Sequence, residues 1–297
     1  MAAPDLLAAL VAALALAAPA APAPGSIEGL SASDAKAAAP APPFRIADNL
    51  YYVGSRETAV YLITGGDGLI LLDGGFEAMA PQVLANVEAL GFDPARIRLL
   101  INSQAHFDHA GGLAAIKART GAAMAASAED AALLARGGRG DFAWGDKLPY
   151  PAVKADRIVQ HGETVKLGDI RLTARLTPGH SKGCTTWQLR TGDRGKAYDA
   201  LFLCGTSAPG YRLAGNPLYP RIAEDFRRSF ATWRALPCDI FLGAHGSYYG
   251  IDAKRAALAA GAARNPFVDP EGCRAHIDGA EQTFERQLRE QQAAGPR

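Results

Sequence analysis

The strongest constraint on this chain is a set of three polar motifs, each placed at the end of an apolar run. Ser-Gln-Ala-His-Phe-Asp-His (103–109) follows a strand-like stretch over Arg98–Asn102. Thr-Pro-Gly-His (177–180) follows Ile170–Leu176, and Gly-Ala-His (243–245) follows Asp239–Leu242. Three strand ends thus offer four histidines, His106, His109, His180 and His245, and one aspartate, Asp108. In an extended segment, residues 104 and 106 point to one side and can share a metal. A turn at 108 and 109 can aim a carboxylate and an imidazole at a neighbouring point. Imidazole and carboxylate suit zinc, and a three-ligand shell leaves an open position for water. A lone His-Phe-Asp-His would equally fit a solvated loop; the two distant histidines argue for a site. The remaining histidines lack such a context: His161 sits in a turn and His276 in a polar C-terminal segment, and both read as solvated.

The rest of the chain is short apolar strands broken by turn signals. Asn49–Val53, Ala59–Thr64 and Leu69–Leu72 read as strands, with Gly65-Gly66-Asp67-Gly68 as a hairpin turn. Ala80–Leu90 reads as a helix with Val83, Leu84, Val87 and Leu90 on one face, Gly111–Arg119 as another, and Ser127 as the cap of a helix over Ala128–Arg136. A loop carrying Phe142, Trp144 and Tyr150 covers 137–151. In the second half, Arg157–Gln160, Glu163–Lys166 and Ile170–Leu176 read as strands. Thr185–Arg190 and Ala197–Leu203 form a hairpin, and helices are expected over Ile222–Leu236, Ala253–Ala263 and Gly279–Gln292. Two strand-rich halves, each with its own helices, predict two sheets packed together with helices outside.

With 31 basic and 30 acidic residues the net charge is +1, so there is no global electrostatic case for nucleic acid or an anionic membrane. The N-terminus reads Leu-Leu-Ala-Ala-Leu-Val-Ala-Ala-Leu-Ala-Leu from residue 6, then small residues and proline. This is similar to a secretory signal over 1–22, although it lacks Lys or Arg and carries Asp5; an Ala/Pro tail or a short anchor helix is the other reading. Residues 23–43 are Ala/Pro/Ser-rich and expected to be disordered. The domain then runs over 44–297. Four cysteines in an exported chain allow two disulfides in three connectivities.

Asp73-Gly74-Gly75, Gln104-Ala105-His106-Phe107-Asp108-His109, Thr177-Pro178-Gly179-His180 and His245 together resemble the ordered motif series of the metallo-β-lactamase superfamily. Ser207-Ala208-Pro209-Gly210-Tyr211 with Gly215-Asn216-Pro217 resembles class B, subclass 3 β-lactamases in particular. The resemblance implies an α+β/α/β fold, a four-layer αββα sandwich, with two zinc ions. One would take Gln104, His106 and His180; the other Asp108, His109 and His245. It implies a zinc-activated water that hydrolyses penicillins, cephalosporins and carbapenems and so confers antibiotic resistance. Asp108 would orient the water and Ser207 would meet the substrate carboxylate. A periplasmic monomer with no nucleic-acid or membrane partner after signal removal is expected.

Two positions depart from the pattern. Gln104 stands where the motif has histidine; a neutral amide oxygen binds zinc more weakly than imidazole, so the first site should be the weaker, though subclass members with glutamine there are active. Gly205 stands where sister hydrolases acting on lactones or thioesters carry a metal-bridging aspartate, and where many subclass 3 enzymes carry serine. A lactone or thioester hydrolase, or a non-catalytic metal-binding member, are the alternatives. A hairpin centred near residue 194 sets Cys184 opposite Cys204, within disulfide range, leaving Cys238 to pair with Cys273. Asp73 is expected to support a ligand rather than be one, and Phe142 and Trp144 either to cover the site or to pack on the body.

Overall fold

The structure is a computed structural model that describes residues 31–295. The signal-like segment 1–22 lies outside those residues. In chain order the elements are α1 (Ala32–Ala37), β1 (Phe44–Ala47), β2 (Leu50–Tyr52), β3 (Tyr61–Gly65), β4 (Gly68–Leu72), α2 (Ala80–Ala89), β5 (Ile97–Ile101), α3 (Phe107–Ala110), α4 (Leu113–Thr120), β6 (Ala123–Ser127), α5 (Ala128–Ala135), β7 (Arg157–Val159), β8 (Thr164–Leu167), β9 (Ile170–Leu176), β10 (Thr185–Asp193), β11 (Lys196–Leu203), α6 (Ile222–Ala235), β12 (Ile240–Gly243), α7 (Ile251–Ala259) and α8 (Pro270–Ala293), with single 3-10 turns between some of them.

Two mixed sheets form, of seven strands (β1 to β7 in order) and five (β12-β11-β10-β9-β8). Strand β4 is buried at all five positions, as expected where a strand is covered on both faces. Its inner face joins Tyr61, Ile63 and Ile101 against Leu172, Trp187, Leu189 and Leu201 of the second sheet. Outside the first sheet, α2, α4 and α5 bury Val83, Val87, Leu113, Ile116 and Leu134. Outside the second, α6 presents Ile222, Phe226, Phe230 and Trp233 on one face toward Phe284 and Leu288 of α8. This is the expected αββα sandwich.

Four details differ from the sequence reading. Residues 31–43 are ordered. Ser31 caps α1, Ala38 and Ala41 are buried, and Ser55 Oγ and Asn86 Nδ2 donate to the Ala37 and Ala41 carbonyls. Strands β1 and β6 carry no expected pattern; Ala-Met-Ala-Ala-Ser of β6 has no β-branched or aromatic residue, yet pairs with β5 and β7. The last helix begins nine residues before Gly279, where Asp269 caps and Pro270 starts it. His276 therefore lies on a helix: it is partly buried, its Nε2 is 3.0 Å from Thr206 Oγ1, and it packs on Tyr248, so it is not a solvated residue. His161 is exposed in a turn, as read.

Both disulfides have the expected pairing, Cys184–Cys204 with Cα atoms 5.9 Å apart and Cys238–Cys273 at 6.5 Å. The first staples β10 to the end of β11. The second ties the approach to β12 to α8.

Candidate metal centre

The three motifs meet at one edge of the sandwich because their strands end there. β5 leads into the first, β9 into the second and β12 into the third. Cross-sheet bonds hold these ends together. Thr185 N–H donates to Ser103 O (2.8 Å), Trp187 Nε1–H to Asn102 O (2.9 Å), and Ala59 N–H to Ala244 O (3.0 Å).

Two clusters result. In the first, His106 Nδ1 lies 3.1 Å from His180 Nε2, and both rings are buried. In the second, Asp108 Oδ2 lies 3.2 Å from His109 Nε2 and 3.6 Å from His245 Nε2, the two imidazole nitrogens being 3.4 Å apart. One ligand atom from each of Asp108, His109 and His245 falls within 4.8 Å of the others. Phe107–Ala110 is a helical turn rather than a bare turn, so Asp108 and His109 leave it side by side.

Charge within the second cluster is strongly coupled. Burial alone would raise the Asp108 carboxyl, but His109 and then His245 hold it far below the usual carboxylate range. Burial opposes a charged His109, yet Asp108 and Asp73 push it up to about 10. Burial and His109 push His245 down to about 4, and burial and His106 push His180 down to about 3.

The donor set suits a cation on geometric grounds. His180 Nδ1 is 2.7 Å from Ser207 O and must donate to it, which leaves Nε2 as a lone pair facing His106. His106 Nε2 faces the Asp141 carboxylate at 3.6 Å. To serve both neighbours through hydrogen bonds, His106 would need protons on both ring nitrogens; a cation taking Nδ1 removes that requirement. Gln104 is fully buried, and neither Oε1 nor Nε2 finds a partner among the protein's own atoms. A buried amide in that state is costly, and a cation beside Oε1 would satisfy one of its two polar atoms.

Supporting residues orient the rings, as such residues do in metal sites. Asp73, held at φ 65°, accepts from Ser103 N–H (2.7 Å) and Ser103 Oγ–H (2.5 Å), and its Oδ2 is 3.5 Å from His109 Nδ1. Sequence reading missed three others. Asp130 on α5 accepts from Ala105 N–H, Ser181 Oγ–H and Gly183 N–H, each at 3.0 Å, joining the first motif to the second. Burial raises its carboxyl to about 6. Tyr150 O–H donates to Ala105 O at 2.6 Å. Asp141 faces His106. Trp144 stands edge-on to His106 at 4.6 Å, and Phe142 packs on Tyr211 and Tyr219, so the 137–151 loop both borders the site and packs on the body. Ser207 is exposed beside the clusters. A Cβ added at Gly205 would collide with the His180 ring.

Known proteins share this fold. The family model described as "Metallo-beta-lactamase superfamily" matches residues 53–245. Among solved structures, BJP-1, a subclass B3 metallo-beta-lactamase of Bradyrhizobium japonicum, is 41% identical with a TM-score of 0.82, covering 87% of this chain and 98% of that one. Native FEZ-1 metallo-beta-lactamase from Legionella gormanii is 40% identical with a TM-score of 0.83, covering 86% and 98%. A hydroxyacylglutathione hydrolase of Methylobacterium nodulans is 29% identical over 61% of this chain. The chain spans only 36% and 60% of the first two curated relatives it matches.

Proposed function

The chain belongs to the metallo-β-lactamase superfamily, a family of metal-dependent hydrolases, and from that membership we propose that it hydrolyses the amide bond of β-lactams with two zinc ions. Gln104, His106 and His180 would hold one, and Asp108, His109 and His245 the other. Zinc, when bound, supplies a Lewis acid that brings the pKa of water down to about 7 and so a nucleophile near neutral pH.

The chain's own residues define the rest. His180 and His245 are kept neutral by burial, the form in which imidazole is a ligand. Asp108 is held ionised by its histidines. As an ionised carboxylate it would orient a water and relay a proton to the departing nitrogen. Ser207, exposed at the rim, would donate to the substrate carboxylate.

The observation that carries the β-lactam reading is Gly205. Gly205 offers no carboxylate at the position where the lactone and thioester hydrolases carry a bridging aspartate, and the His180 ring lies against the place a side chain there would start. The solved neighbours support it, since their likeness covers 98% of their own chains. Thioester hydrolysis is the second reading, motivated by the hydroxyacylglutathione hydrolase relative. The proposal includes action as a monomer in the periplasm after loss of residues 1–22; among the described residues no helix is long and apolar enough to cross a membrane. Nitrocefin, a thioester and an acyl-homoserine lactone should be assayed side by side, with and without chelator. Chelator-sensitive nitrocefin turnover is expected; thioester or lactone turnover without nitrocefin turnover would overturn the reading.

A further inference from the structure

The 137–151 loop reaches the first cluster through one buried carboxylate. Asp141 Oδ1 accepts from Ala143 N–H (2.8 Å) and Trp144 N–H (3.0 Å), closing the turn that sets the Trp144 ring against His106. Its other oxygen, Oδ2, lies 3.6 Å from His106 Nε2. Both of these atoms are buried, and neither has another partner among the described residues. The opposite ring nitrogen of His106 faces His180. Asp141 thus touches the loop with one oxygen and a candidate ligand with the other.

We propose that Asp141 is a positioning residue that couples the 137–151 loop to the first metal position. It accepts from His106 Nε2–H, so that Nδ1 is the nitrogen left with a lone pair toward His180. With a metal held at the first cluster, His106 Nε2–H would be a stronger donor and would hold Asp141, and with it the turn carrying Trp144, against the site. Because coupling is reciprocal, loosening the turn weakens the metal, and losing the metal loosens the turn. The inference rests on the reading of His106 as a ligand of the first zinc.

The test uses the mature chain stripped of metal and titrated with zinc, following bound metal and tryptophan emission together. Trp144→Phe identifies the part of the emission that comes from Trp144, since Trp187 and Trp233 are buried elsewhere in the core. Asp141→Asn keeps an oxygen acceptor for the turn but offers His106 an amide N–H in place of a carboxylate. Asp146→Asn is the control: Asp146 accepts from Gly140 N–H in the same loop and bonds no histidine. The expected result is a first-zinc affinity about 10–100-fold lower in Asp141→Asn, with the Trp144 emission change displaced to the same higher zinc concentration. The second zinc should bind as in wild type, which also shows the fold intact, and Asp146→Asn should leave both unchanged. A wild type that binds two zincs while Asp141→Asn matches it, or whose Trp144 emission ignores the first zinc, overturns the coupling alone. A wild type that binds a single zinc overturns the first-site reading and the coupling with it.

Discussion

Replacing Gln104 with leucine should make the zinc-free protein more stable while weakening its hold on metal. Gln104 is fully buried, and both polar atoms of its amide lack protein partners. Each such atom costs about 1–3 kcal/mol. A swap of similar volume loses up to about 1.5 kcal/mol through imperfect shape. The balance favours the Gln104→Leu variant by roughly 0.5–6 kcal/mol in the absence of metal. Zinc should shrink that advantage. A ligand at 100 times its dissociation constant adds about 2.7 kcal/mol per site, and wild type draws this from two sites where the variant draws it from one. Urea unfolding with the disulfides intact, in chelator and then at fixed free zinc, measures both terms; equal slopes in urea would show that the two proteins expose similar surface. A variant less stable than wild type in chelator, or one with an undiminished zinc increment, would refute the view that Gln104 is kept for the metal at a cost to the fold.

Three further outcomes follow from particular contacts. Gly205→Ser should displace the His180 ring from its bond to Ser207 O, at about 1–3 kcal/mol for overpacking, and metal counting during stepwise chelation should show the first zinc lost earlier; an unchanged release profile would sink the idea. His276 is held near 4 by burial against an ordinary value of 6.5. Between those values the unfolded chain binds a proton that the folded chain does not, so stability is full above pH 6.5 and falls by roughly 3 kcal/mol as pH drops to 4; His276→Gln should flatten that acid slope, and an unaltered slope in denaturant melts counts against it. Thiol titration of unfolded, unreduced protein should find no free cysteine, and Cys238→Ser/Cys273→Ser should cost about 3–4 kcal/mol for the loop it reopens; two free thiols in wild type would contradict the pairing.

The candidate ligand histidines are legible because each follows a strand with a clear hydrophobic pattern, and a strand end is a place where a side chain can be aimed. The two-sheet sandwich was legible for the same reason. Alanine-rich β6 was not, since its pairing comes from its neighbours and not from its own side chains. His276 reads as solvated from sequence because the helical pattern is clear only from Gly279, and a histidine in a polar stretch gives no hint of the ring it stacks on.

The residues that support the ligands were hidden by a deeper ambiguity. Asp130 stands three residues after the helix cap Ser127, where an acidic residue ordinarily turns back to the backbone of its own helix start. Sequence spacing predicts that local bond. The fold instead brings Ala105 and the Ser181–Gly183 turn over the end of α5, and the carboxylate is spent on those two motifs, 25 and 51–53 residues away. Asp141 is the same case in a loop: its Oδ1 makes the local turn that the sequence allows, and its Oδ2 meets a histidine 35 positions earlier in the chain. A short polar side chain has both a local and a distant way to satisfy its oxygens, and only packing decides between them. The histidines at strand ends have no such local alternative, which is why the chain announces its candidate metal centre and conceals what holds those side chains in place.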